Sequence, residues 1–176
     1  MRNSSRSGFT IIELLVVVAI IGTIGAIVLA SLSESREHSR NTARISQIKE
    51  YQKAFDLYYS DKGHYPKFGN NETATICLGD YADNRCWANG TGFFERAAVN
   101  AEIAPLYMGR IPDGETKMFG QGGGTEYEGM IYIHQDFGKA YSIRYFMEGN
   151  DKSCILDGTV ASNVGDDTLC ILSVGS

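Results

Sequence analysis

Hydrophobic and polar residues alternate in two different ways along the first third of this chain. From Leu14 to Leu32 there are 19 residues without a formal charge. At about 1.5 Å rise per residue, that run is long enough to cross a bilayer core as a helix. It is apolar all round, so it belongs in lipid or among other helices. Ser31 to Arg44 is polar but contains neither Pro nor Gly, so the helix continues. Apolar residues then return at Ile45, Ile48, Tyr51, Phe55 and Tyr58, a one-sided stripe at helical spacing. Asp61-Lys62-Gly63 reads as the stop, with Gly63 just past the helix end and Pro66 beyond it. The pattern predicts one helix from about Phe9 to Asp61.

Beyond the helix the period changes. Lys67 to Gly92 has the composition of a loop, and Phe93 to Ala104 reads as a short helix. Pro105 to Pro112 and Gly120 to Gly124 read as further loops. Residues 129–134 and 139–147 are β-branched and aromatic, with Asp136-Phe137-Gly138 between them as a hairpin turn. Residues 153–156 and 168–174 are shorter strand candidates. The expected fold class is α+β: a long N-terminal helix packed on a three- or four-stranded antiparallel sheet.

At the mouth of the apolar run stands Gly8-Phe9-Thr10-Ile11-Ile12-Glu13-Leu14-Leu15, preceded by a leader with Arg2 and Arg6. This stretch resembles the processing site of type IV prepilins and type II secretion pseudopilins. The resemblance implies that a prepilin peptidase cuts after Gly8 and that the new N-terminal Phe9 is N-methylated. It also implies that Glu13, the fifth mature residue, is the assembly carboxylate. That role is an ion pair with the Phe9 ammonium of a neighbouring copy. Asp56 to Pro66 is similar to the helix-to-head junction of the same family, and Ala104 to Asp113 to its loop after the small helix. The domains expected are a leader over 1–8, a membrane and fibre-core helix over 9–32, its amphipathic continuation over 33–62 and a pilin-like head over 63–176. The family often has a proline farther along the apolar run; this chain has Ala30 there, and only Gly22 and Gly25 could loosen the helix.

An ordinary secretory signal fits less well, because the expected cut precedes the apolar run and leaves it in the mature protein. Lys and Arg counts near the two ends of the span favour a C-terminus inside. The cysteines and the leader resemblance favour a head outside, and they decide the topology. The resemblance places the protein in the bacterial inner membrane before assembly and in a surface pilus or periplasmic pseudopilus afterwards. Its partners would be copies of itself, the prepilin peptidase and methylase, membrane lipid and the pilus or secretion machinery.

Formal charge is −5, and losing the leader makes the chain more acidic, which argues against a nucleic-acid partner. Arg36, Arg40 and Arg44 share a helix face, expected to be solvated or to meet acidic neighbours. Four cysteines, Cys77, Cys86, Cys154 and Cys170, suggest disulfides in an oxidising compartment, with three possible pairings. Nearest-neighbour pairing is expected, since its larger loop is similar to the C-terminal loop of many pilins. A zinc site is the rival, although Cys-x-x-Cys spacing is absent. His38, His64 and His134 do not cluster. Asp157, Asp166 and Asp167 read as solvated loop acids rather than as the calcium site of pseudopilins. Asn71-Glu72-Thr73 and Asn89-Gly90-Thr91 match a short glycosylation pattern that arises easily by chance. No cofactor, no metal and no catalytic residues are expected. The function expected is a structural subunit of a type IV pilus. The alternatives are a type II secretion pseudopilin or minor pilin and, from another class, a membrane-tethered extracytoplasmic binding domain.

Overall fold

The computed structural model describes residues 8–69, 71–81, 85–87, 93–94, 97–114, 117–120 and 124–175. They fall into two compact units, Met1–Arg40 and Asn41–Ser176. Helix α1, Ile11–Lys62, ends one residue beyond the expected stop. Gly63 closes it with φ +76° and an N–H donated to the Tyr59 carbonyl at 2.8 Å, a left-handed position that suits glycine.

In the first unit the apolar side chains of α1 face outward. Phe9, Ile11, Ile27 and Leu29 are each at least 70% exposed. This is the one helix among the described residues that is long and apolar enough to span a membrane.

The second unit is the head. Its main sheet has five antiparallel strands in the order β1-β6-β7-β9-β8. These are β1 (Ala74–Leu78), β6 (Met130–Gln135), β7 (Ala140–Met147), β8 (Thr159–Val164) and β9 (Asp167–Val174). One face meets the stripe of α1: Ile45, Ile48, Tyr51, Ala54 and Phe55 pack with Ile76, Tyr132, Tyr141, Ile143, Tyr145 and Leu172. Phe55 sits against two sheet tyrosines, 4.8 Å from Tyr132 and 5.3 Å from Tyr141, ring centre to ring centre. The other face is covered too. There Cys77, Ile131, Ile133 and Phe146 meet Tyr81, Cys86, Trp87 and Phe119. Two small pairs frame that side, β2 (Arg85–Cys86) with β3 (Phe93–Phe94), and β4 (Met118–Phe119) with β5 (Tyr127–Glu128). Burial on both faces explains why β6 and β7 read as nearly continuous apolar runs instead of alternating.

Several expectations need correction. The loop-like stretch after Lys67 contains β1, an edge strand of the main sheet. The short helix α2 spans only Ala97–Ile103, and Phe93–Phe94 before it is a strand. Residues 153–156 form no strand: Ile155 has φ +61° and the Leu156 N–H turns back to the Cys154 carbonyl at 2.7 Å. Their place at the sheet edge goes to β8, which no sequence pattern marked. The second glycosylation pattern, at Asn89, lies outside the described residues.

Candidate functional site

The apolar helix has a built N-terminus. Thr10 is its cap. The Thr10 N–H and hydroxyl both donate to Oε2 of Glu13, at 2.8 and 2.7 Å, and the Glu13 N–H donates back to the Thr10 hydroxyl at 3.3 Å. This reciprocal arrangement is a capping box: the carboxylate accepts the Thr10 N–H, and the Thr10 hydroxyl accepts the Glu13 N–H that the first turn leaves open. Thr10 was legible as Thr-x-x-Glu before an apolar run, a signal that reading Glu13 alone passes over. Gly8 and Phe9 precede the first helical turn, and Phe9 is 80% exposed. Gly22 and Gly25 have open space where a Cβ would stand.

The head joins Cys77 to Cys86 and Cys154 to Cys170, with Cα–Cα distances of 5.7 and 5.8 Å. The first bridge ties β1 to β2. The second fastens the segment after β7 to β9, and the loop it closes contains β8. With all four sulfurs paired, the zinc rival is gone. Among the described residues no group of three His, Cys, Asp or Glu side chains could hold a metal.

One polar group narrows the sequence reading and another corrects it. Arg36 and Arg40 are exposed, but Arg44 is buried. Its guanidinium lies 3.9 Å from Glu148, donates to Asn41 Oδ1 at 2.9 Å and stands 4.7 Å over the Phe119 ring. Lys117 pairs with the other Glu148 oxygen. Asn41 also donates to the Glu148 carbonyl and accepts its N–H, at 3.1 and 2.9 Å, so this charge cluster clamps α1 to the end of β7. Asp167, expected in solvent, is buried and accepts the N–H groups of Gly120 and Gly149, at 2.9 and 3.1 Å. Asp157 and Asp166 are exposed.

The last turn of α1 is tied to α2 and its loop by phenols. Tyr58 donates to Glu102 at 3.1 Å, and burial together with that carboxylate pushes the Tyr58 phenol up to about 12. Tyr107 donates to Asp61 at 2.6 Å. That bond and neighbouring Lys62 hold the Asp61 carboxyl below its ordinary range.

A capped apolar helix with outward side chains, continuing into a disulfide-bonded α+β head, defines a pilin-like protein. The model of the prokaryotic N-terminal methylation motif matches residues 3–32. The chain is 36% identical over 61 residues to the type II secretion system core protein G of Escherichia coli, covering 35% of this chain and 42% of that one. It is 34% identical over 79 residues to the type IV wide pilus major component PilA4 of Thermus thermophilus, covering 45% and 56%. With the type IV major pilin protein PilE1 of Neisseria gonorrhoeae it shares 28% over 128 residues, covering 66% and 70%. The chain spans about half the length of the core G relatives it matches. No solved structure matches it. The chain thus carries the N-terminal methylation motif and is similar to type IV pilins and type II secretion core G proteins.

Proposed function

We propose that this chain is a structural subunit of a type IV pilus. It enters the bacterial inner membrane as a single-pass protein with its head outside. It is cut after Gly8, methylated on Phe9 and polymerised with copies of itself by the assembly machinery. The chain works by assembly and carries no catalysis.

The outward apolar face of α1 carries this reading. Along this helix Leu14, Leu15, Val18, Ile21 and Ile24 are all exposed. Lipid holds it before assembly, and the helices of neighbouring copies replace lipid in a fibre. Cleavage turns the Phe9 amide nitrogen into an ammonium. The capping box holds the Glu13 carboxylate at the same end of the helix. In a low-dielectric fibre core, that carboxylate paired with a neighbour's ammonium is far better than two lone charges, although desolvation takes back much of the gain.

A match of 128 residues to a major pilin is longer than helix α1, whose span is 52 residues, so it reaches into the head. This supports a pilus over a pseudopilus, as does the C-terminal Cys154–Cys170 loop. The pseudopilin reading rests on the matches to core protein G, which cover 61 to 66 residues.

The test is Glu13→Ala in cells lacking their own copy. Surface fibres counted by electron microscopy should fall at least about tenfold, in line with loss of a buried charge partner. A normal fibre count would remove the role assigned to Glu13.

A further inference from the structure

The segment from Gly63 to Phe68 runs as a strap across the β6–β7 hairpin. The Tyr65 N–H donates to the Gly138 carbonyl at 2.7 Å, and the Tyr132 hydroxyl donates to the Pro66 carbonyl at 2.7 Å. Farther along, the Phe137 N–H donates to the Glu72 carbonyl at 3.1 Å. These bonds use groups that keep their charge near neutral pH. One more does not: the Phe68 N–H donates to Nε2 of His134 at 3.3 Å.

His134 has no exposed surface, and its ring meets Phe68 at 5.1 Å in an edge-on contact. Because Nε2 accepts, Nδ1 carries the proton and the ring is neutral. That Nδ1–H has no hydrogen-bond partner among the described residues. A second proton on the ring would turn Nε2 into a donor facing a donor, and would bury a charge with no acceptor.

The surroundings offer the charge no relief. The strap contributes Lys67, a cation that opposes it. Strands β1 and β7 place Ala74 and Tyr141 in register with His134, and burial pushes the Tyr141 phenol up, so it stays neutral. Near the hairpin, Glu72 and Asp136 are exposed, and Asp136 is paired with Lys139 at 3.0 Å. On α1, exposed Asp56 acts on Tyr65 and Tyr141.

We propose that His134 is an acid-sensitive latch: protonation at Nε2 replaces the acceptor of the Phe68 N–H with a donor and releases the strap from the hairpin. The proton comes from solvent, and no covalent bond changes. Release withdraws Tyr65 and Phe68 from the main core, where they pack against Tyr141 and Tyr132, and leaves both disulfides intact. Burial holds the His134 imidazole below its ordinary value. The closed head therefore binds fewer protons than the open one. Closure is fully favoured above about pH 6.5, and that advantage is lost as pH falls through the lowered folded value.

Hydrogen exchange on the full chain in detergent micelles tests this. After correction for intrinsic rates, strap amides should exchange about tenfold faster at about pH 5 than at about pH 7.5, within the limit of one decade per pH unit for one proton. His134→Gln keeps an oxygen acceptor that does not titrate, and its response should be less than about twofold. Equal acceleration in both proteins, or none in the wild type, would overturn the proposal. NMR titration of the unmutated chain decides the matter even where the variant folds poorly. The His134 ring and the Phe68 amide should move with one midpoint. A ring that titrates while the Phe68 amide stays still, or a ring that stays neutral down to about pH 4, refutes the latch.

Discussion

Between Leu14 and Leu32 helix α1 turns apolar side chains to every side, whereas between Ile45 and Tyr58 it buries one stripe and leaves Lys49, Glu50, Lys53 and Asp56 in solvent. The described side chains of the first stretch are exposed. The second is part of the core of the head, centred on Phe55 and the sheet tyrosines. One helix thus carries two separable tasks. Changes in the first stretch should register in processing and assembly, and changes in the second in folding.

The largest effect should come from the end of the leader. Gly8→Val puts a branched side chain at the proposed cleavage point. Immunoblots should show only uncut chain and microscopy no fibres, while the head melts as before. Next, Phe55→Ala should cost the head about 3–5 kcal/mol, read by thermal or urea melting, because a buried ring is lost and a cavity remains. Its counterpart Leu15→Ala should leave the same melting curve within about 0.5 kcal/mol. Equal loss in both would break the division of labour. Replacing Cys154 and Cys170 together by serine should cost about 2–4 kcal/mol, again in the head alone. Among the substitutions in the head the smallest effect belongs to Tyr58→Phe, which removes the bond to Glu102 and should cost about 1 kcal/mol.

The helical stretches were the more legible because their signals are local. Nineteen uncharged residues, a stripe spaced three and four apart, and Gly63 before Pro66 each report on their own neighbourhood. The β6–β7 hairpin was legible for the same reason, its two apolar runs flanking Asp136-Phe137-Gly138. Strand β1 was not, since Ala74 to Leu78 is a short run amid Asn, Gly and Thr and is made a strand by its pairing with β6. Strand β8 was hidden differently. Val160, Ala161, Ser162 and Asn163 are all exposed, so no alternation of apolar and polar residues marks it, and β9 alone holds it in the sheet. Ser153 to Leu156 misled because its apolar members suggest a strand, yet Cys154 is drawn inward to Cys170 while Ile155 turns out to solvent. At the N-terminus, Glu13 was legible as the lone carboxylate at the mouth of the span. Its bonds to Thr10 were legible too, as Thr-x-x-Glu before an apolar run, but reading Glu13 alone passes over them. Arg44 was hidden by its periodicity with Arg36 and Arg40. What separates it from them is Glu148, far away in the chain.

The most direct measurement is mass spectrometry of fibres sheared from the cell surface. This chain should be found there in abundance, beginning at N-methylated Phe9 and carrying both disulfides. Finding it cut at the same place but confined to the membrane fraction would favour the pseudopilin reading. Finding it in functioning cells with its leader still attached would contradict the processing and assembly on which the account rests.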